Sequence, residues 1–242
     1  MSKVAGVGIC VPVHNEEEGL PRALRALEES IARITDVSIH CRLAIVLDAC
    51  TDGSESLVRR WAADCHSRAE TLVIECSAQN VGIARQSGFA LLVDSWAKTD
   101  LSRVWLATTD GDSEVPPDWL TRQLERISRD DVEFWAGRVD VVDWSGRKFA
   151  TSRRWKDAYR DEAAPVHGAS MGLSATLFLE LGGCPPLESG EDEALRTAAV
   201  KRGSKVCHDW GAPVTTSARS CSRAPLGFGH YLDLIEDTYA AG

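Results

Sequence analysis

The chain has 242 residues, with 36 Asp and Glu against 27 Lys and Arg, for a formal net charge of −9. Apolar residues make up 44% and charged residues 26%, a globular balance that excludes a disordered or collagen-like polypeptide. The acidity, with no Lys/Arg block to answer phosphate, argues against nucleic acid or an anionic membrane as main partner, while leaving room for one anionic ligand held through a metal. No apolar run approaches the roughly 20 residues of a transmembrane segment. Met1 to Val4 runs into a strand-like segment without a signal-peptide core, so a soluble, cytoplasmic protein is expected. The eight cysteines are scattered without a Cys-x-x-Cys pair, which predicts reduced, buried thiols rather than disulfides or a zinc site.

In chain order, Val7 to Val13 is an apolar strand that breaks at Pro12-Val13-His14-Asn15. Glu16 to Ile34 has helical spacing through Leu20, Leu24, Leu27 and Ile31. A second strand, Arg42–Asp48, is followed by a turn and a helix over Ser54–His66; a third, Thr71–Cys76, by a helix over Asn80–Trp96. A fourth strand, Arg103–Thr108, stops at Thr109-Asp110-Gly111-Asp112. Strands alternating with helices across short connections predict βαβ units, an α/β fold with a mostly parallel Rossmann-like sheet. Beyond Asp112 the pattern is mixed: a helix from Pro116 to about Ser128, a strand over Val132–Trp144 with a bulge near Gly137, helices over Ser174–Leu181 and Glu191–Arg202, and a strand over Lys205–His208. No linker interrupts the chain, so one domain over 1–242 is expected, with a ligand-binding half at 1–112 and a second half at 113–242.

Ligands of open parallel sheets bind beyond the carboxyl ends of the strands. Three of the four strand exits carry acidic or amide groups there: His14-Asn15-Glu16, Asp48 and Asp110-Gly111-Asp112. Two carboxylates one residue apart can share a cation, and Mg²⁺ or Mn²⁺ takes one or two carboxylates plus substrate phosphates. Glu188 to Glu193 precedes a helical run, and acidic residues there complement the helix dipole. Asp192 or Glu191, kept ionised at that helix start, is a candidate general base, and spacing alone does not choose between them. Asn80 to Gly88 is a polar, glycine-containing helix start, but neither a dinucleotide fingerprint nor a Walker A loop.

Taken together, Val11 to Glu16, Asp48 to Ser54, Asn80 to Gly88, Thr109 to Leu120 and Gly182-Gly183 with Glu191-Asp192 resemble the family-two inverting glycosyltransferases of the GT-A fold, over roughly residues 4–205. The resemblance implies a nucleotide-diphosphate sugar donor and a divalent metal, Mg²⁺ or Mn²⁺. By position, it puts Pro12, His14 and Glu16 around base and ribose, Asp48 on the nucleobase edge and Arg85 near it. Asp110 would face the ribose or metal, Asp112 would bind the metal, and Asp192 would deprotonate the acceptor hydroxyl. Many relatives add a downstream His as metal ligand, for which His208 and His230 are candidates. Arg219 and Arg223 would close over the diphosphate. His167 to Gly172 resembles the loop lining the donor-sugar and acceptor side. The chain departs from the family in having Leu47-Asp48 for the usual paired Asp and Cys50 where Ser is common. It also lacks the Gln-x-x-Arg-Trp motif of processive synthases. A single transfer to a small-molecule, lipid-linked or glycan acceptor is expected. The alternative is a non-catalytic module that binds sugar nucleotides or carbohydrate on the same fold.

Overall fold

The structure is a computed structural model and describes residues 4–64, 67–141, 144, 148, 151–155, 166–216 and 232. Among these, the strands are β1 (Gly6–Val13), β2 (His40–Asp48), β3 (Glu70–Cys76), β4 (Val104–Thr108), β5 (Phe134–Val141), β6 (Met171–Ser174) and β7 (Val206–Thr216). The helices that position the site are α1 (Leu20–Ala32), α2 (Ser54–Asp64), α3 (Val81–Ser95), α4 (Trp119–Asp130), α5 (Ala175–Glu180) and α6 (Glu191–Arg202). The seven strands form one sheet in the order β3-β2-β1-β4-β6-β5-β7. β6 runs antiparallel to both neighbours, and the remaining pairs are parallel. The fold is the α/β architecture with a mostly parallel sheet that the strand–helix alternation predicts, and it is GT-A-like, as the family resemblance implies.

β1 is apolar throughout because both of its faces are covered. Val7, Ile9, Val11 and Val13 join the core beneath α1 and α4, whereas Cys10 joins the core beneath α3 and α5. The first core holds Trp119 and Trp135 edge to face at 6.4 Å, and the second holds Phe89 and Phe178 at 5.4 Å. Trp155 is fully buried and Trp144 packs against it at 5.6 Å, which adds this pair to the first core.

The structure differs from the sequence expectation at three places. α1 begins at Leu20 rather than Glu16, so the acidic residues 16–18 form the turn before the helix. β6 was not expected: it is four residues long, and burial on both faces removes the alternation that marks a strand. Gly172 is required there, since a Cβ would lie 2.8 Å from the Trp105 ring and overlap the Gln123 amide. β7 extends eight residues past His208, to Thr216. Asp209 pairs with Gly137 but Val214 with Val139, so residues 210–213 bulge outward, and Gly211 and Pro213 within them disguise the strand.

Arg122 of α4 pins that bulge through a bidentate pair with Asp209 at 2.7 and 3.0 Å, and the Gly211 N–H donates to the same carboxylate at 2.9 Å. Burial works to raise the Asp209 carboxyl, yet these donors hold it below the usual carboxylate range. A folded pKa below the unfolded one gives stability that is present above about pH 4 and is lost as pH falls through the folded value. Urea-unfolding midpoints measured across acid pH are expected to fall less steeply below about pH 4 in Asp209→Asn than in the parent. Parallel curves would remove this pair from the acid response.

Candidate active site

The direction of strand succession reverses between β1 and β4, since β2 and β3 lie on one side of β1 and β4 on the other. Such a switch point opens a crevice at the carboxyl ends of the two strands. Pro12 shapes it. Pairing with β4 ends at Cys10↔Thr108, so the N–H that proline lacks would have faced past the end of β4, where no ladder bond is lost. The segment Thr109 to Asp112 enters this gap, and a Cβ on Gly111 would lie 3.2 Å from the Pro12 carbonyl and 3.3 Å from the Glu16 side chain. On the other flank, a Cβ on Gly19 would lie 3.1 Å from the Asp112 backbone, so the start of α1 also backs this turn.

Arg85 of α3 is buried at the centre. Its Nε donates to the Thr108 hydroxyl at 3.3 Å, one terminal nitrogen donates to Asp110 and the other to Glu191. Burial works against the guanidinium charge, but the carboxylates of Asp110 and Asp192 more than offset it, and its pKa is raised. Burial pushes the Asp110 carboxyl up, and the charges of Asp192 and Glu16 add to this against the pull of Arg85. Gly168 lies directly over the guanidinium, where any Cβ would overlap it.

The two candidate bases are thereby separated. Glu191 is 3% exposed and committed to Arg85. Asp192 is half-buried, and its Oδ2 accepts from the Gly168 N–H at 2.7 Å while Oδ1 accepts from the Glu193 N–H at 2.7 Å. His167 precedes Gly168; burial lowers its pKa, and the charge of Asp192 opposes that shift.

Asp48 is occupied within the fold. Its carboxylate accepts from the backbone N–H groups of Ala78, Gln79 and Asn80 at 2.8–2.9 Å. The Cys76 thiol also bonds to it; burial, then that bond, push this thiol up to about 11. The structure therefore assigns Asp48 to holding the 78–80 turn rather than leaving it free for a nucleobase edge. His14 Nδ1 bonds to the Asp48 carbonyl at 2.6 Å, and Asn15 bonds to the Thr51 and Asp52 N–H groups, tying the two strand exits together.

Asp112 is half-buried beside Ser113, whose hydroxyl donates to it at 3.2 Å and lies 3.0 Å from the Thr216 hydroxyl. His208 does not join this pair. Its register partner Ala136 lies five residues before Val141, the partner of Thr216, which puts His208 about 16 Å along the sheet from the Ser113–Thr216 contact, and its charge acts on Glu193. Among the described residues no group of three His, Cys, Asp or Glu side chains could hold a metal unaided. Arg219, Arg223 and His230 lie outside the described residues. Six of the cysteines are described and all are free; burial pushes Cys10 up to about 12 and Cys184 up to about 11, so these two are inert packing groups. The sequence offered no signal for Thr108 or Gln86, which touch the site's ion pair and the 184–187 loop through single side-chain bonds.

A mixed seven-stranded sheet, mostly parallel, with helices on both faces and a switch point between β1 and β4 is a GT-A-like α/β fold. A family model described as "Glycosyl transferase family 2" matches residues 8–179, and the chain belongs to that family. Among solved structures, it is similar to the mannosyltransferase PcManGT from Pyrobaculum calidifontis in complex with GDP-Man and Mn²⁺. That match has a TM-score of 0.71 and 17% identity, and covers 97% of this chain and 61% of that one. It is also similar to residues 1–349 of S. aureus TarS in complex with UDP-GlcNAc, with a TM-score of 0.64, 14% identity, and coverage of 90% and 60% respectively. The chain thus spans about three fifths of the length of these relatives. No curated protein sequence matches it. No helix among the described residues is long and apolar enough to cross a membrane.

Both members of the central ion pair are nearly inaccessible, at 3% and 4% side-chain exposure. Arg85→Met is expected to cost about 3–5 kcal/mol, because it leaves Glu191 buried without its partner. Adding Glu191→Leu should recover most of that loss in urea unfolding; a double variant no more stable than the single would show that Glu191 is not the source.

Proposed function

We propose that the chain moves one sugar from a nucleotide-diphosphate donor to an acceptor hydroxyl with inversion, using Mg²⁺ or Mn²⁺, and releases its product after each transfer. The observation that carries this is the set of half-buried carboxylates, Asp110, Asp112 and Asp192, around the buried Arg85–Glu191 pair near the switch point. The donor set fits a hard cation: Asp112 and the second oxygen of Asp110 would supply oxygens, and among the described residues no third His, Cys, Asp or Glu joins them, which leaves positions for substrate phosphates. When bound, the cation neutralises charge developing on the departing diphosphate. Pro12, His14 and Glu16 line the donor side. Asp192 takes the acceptor proton as its oxygen bonds to the anomeric carbon and the bond from that carbon to the diphosphate oxygen breaks. Glu191 cannot take that proton while it is paired with Arg85. The abundance of free thiols suits a reducing, cytoplasmic setting.

The relatives differ in donor base, GDP in one and UDP in the other, so a thermal-shift panel of nucleoside diphosphates with and without Mn²⁺ is the first test. One diphosphate is expected to stabilise the protein only with Mn²⁺; no shift with any of them would favour a module for another ligand. Asp112→Ala should abolish the Mn²⁺-dependent shift. Asp192→Asn should keep that shift and lower transfer by about 10²–10⁴-fold; full activity in this variant would displace Asp192 as the base.

A further inference from the structure

The sequence resemblance attaches the Asn80–Gly88 segment to the donor, but its contacts lead elsewhere. Asn80 caps α3 by accepting from the Ile83 N–H at 3.0 Å, and its amide also reaches the Pro186 carbonyl at 3.3 Å. The Gly82 N–H donates to the Leu187 carbonyl at 3.2 Å. A Cβ on Gly82 would lie 2.7 Å from that carbonyl oxygen and would overlap the one on Pro185. One turn on, the Gln86 side-chain oxygen accepts from the Cys184 N–H at 2.7 Å. Gly183, at φ +89°, admits the same amide against its α-carbon, where a Cβ would overlap it. Arg85, between these residues, grips Glu191. Four consecutive points on one helix start, residues 80, 82, 85 and 86, therefore hold the whole stretch 183–191.

We propose that the first two turns of α3 are the positioning element for Asp192, with Gly82 and Gln86 as positioning residues. This rests on the reading of Asp192 as the base. Asp192 follows the tethered stretch directly, and its two oxygens accept from the Gly168 and Glu193 N–H groups. Its placement along the crevice is set by where Glu191 and the 184–187 loop are held. The other end of the same turn is anchored by Asp48, whose carboxylate accepts three successive N–H groups at 78–80. The polar glycine-containing helix start is thus a seat for the catalytic segment, and Gly82 is small because two backbone carbonyls lie against it. A displacement near 1 Å at a reacting group costs about 10²-fold in rate, so this seat matters for turnover although it touches no substrate.

The test compares Gln86→Ala, Gln86→Glu and Gly82→Ala with the parent by three measurements: kcat, nucleoside-diphosphate affinity in Mn²⁺, and amide hydrogen exchange over 183–192. Gln86→Ala is expected to lower kcat about tenfold, with diphosphate Kd within about twofold and exchange over 183–192 accelerated while β1 and β4 stay protected. Gln86→Glu keeps an acceptor for the Cys184 N–H and should restore both kcat and protection. Gly82→Ala should lower kcat by about 10²-fold. Unchanged exchange over 183–192 in Gln86→Ala would overturn the proposal whether or not a donor has been found. So would a loss of diphosphate affinity that matches the loss of kcat. A parent protein that binds no nucleotide, with exchange still accelerated in Gln86→Ala, would instead overturn the glycosyl-transfer reading and keep the seat.

Discussion

A guanidinium with almost no solvent access sits where three distant parts of the chain meet. Arg85 comes from α3, Thr108 and Asp110 from the end of β4, and Glu191 from the start of α6. Removing such a charge from water costs several kcal/mol, recovered only when partners stand in correct geometry. Each partner is supplied by a different element, so the helix start, the strand exit and the acidic segment must arrive together. Gly168 then closes the cluster from above, because only a residue without a Cβ lets backbone lie against the guanidinium. Through its N–H, the same residue orients Asp192. The charge that organises the centre of the site thus also determines which of two adjacent carboxylates stays available.

The donor flank is built differently, from backbone rather than from ion pairs. Asp48 gathers three successive N–H groups and a thiol, and its own carbonyl receives His14. Three backbone N–H groups on one carboxylate fix the turn through charge-assisted hydrogen bonds. The 78–80 turn leads straight into α3, which carries Arg85 and the residues Gly82 and Gln86 on which the 184–187 loop is docked.

Most of the sheet was legible because parallel strands buried on both faces leave continuous apolar runs, as Leu43 to Leu47 does. The strand exits could then be listed as candidate site residues from their order alone, and Asp110 and Asp192 do act on the same guanidinium. What sequence could not show follows from partners distant in the chain. Nothing in the run Met171 to Ser174 marks a strand, since it is defined by neighbours 63 to 69 residues earlier in β4. Asp48 has the residue type of a ligand contact, and only the three-dimensional path of 78–80 reveals that its oxygens are engaged. His208 has the right chemistry for a metal, but it sits near the start of β7, whereas the end of that strand reaches Ser113. Glu191 and Asp192 are indistinguishable as neighbours in a helix start, and a side chain 106 residues away separates them.

The charge balance of the crevice carries the last step. Asp110, Glu191 and Asp192 act on one guanidinium, which leaves an excess of two negative charges before Asp112 and Glu16 are considered. Burial and the neighbouring carboxylates already push Asp110 upward. A diphosphate brought unaccompanied into this field would meet like charge at low dielectric, where Coulomb repulsion is several times stronger than in water. Arg85 cannot relieve it, since its terminal nitrogens are spent on Asp110 and Glu191. The divalent cation of the proposed reaction would bring positive charge to this point with the phosphates, using the oxygen ligands it prefers. The acidity that weighs against nucleic acid as a partner for the whole chain thus accords, at this one crevice, with the proposed cation.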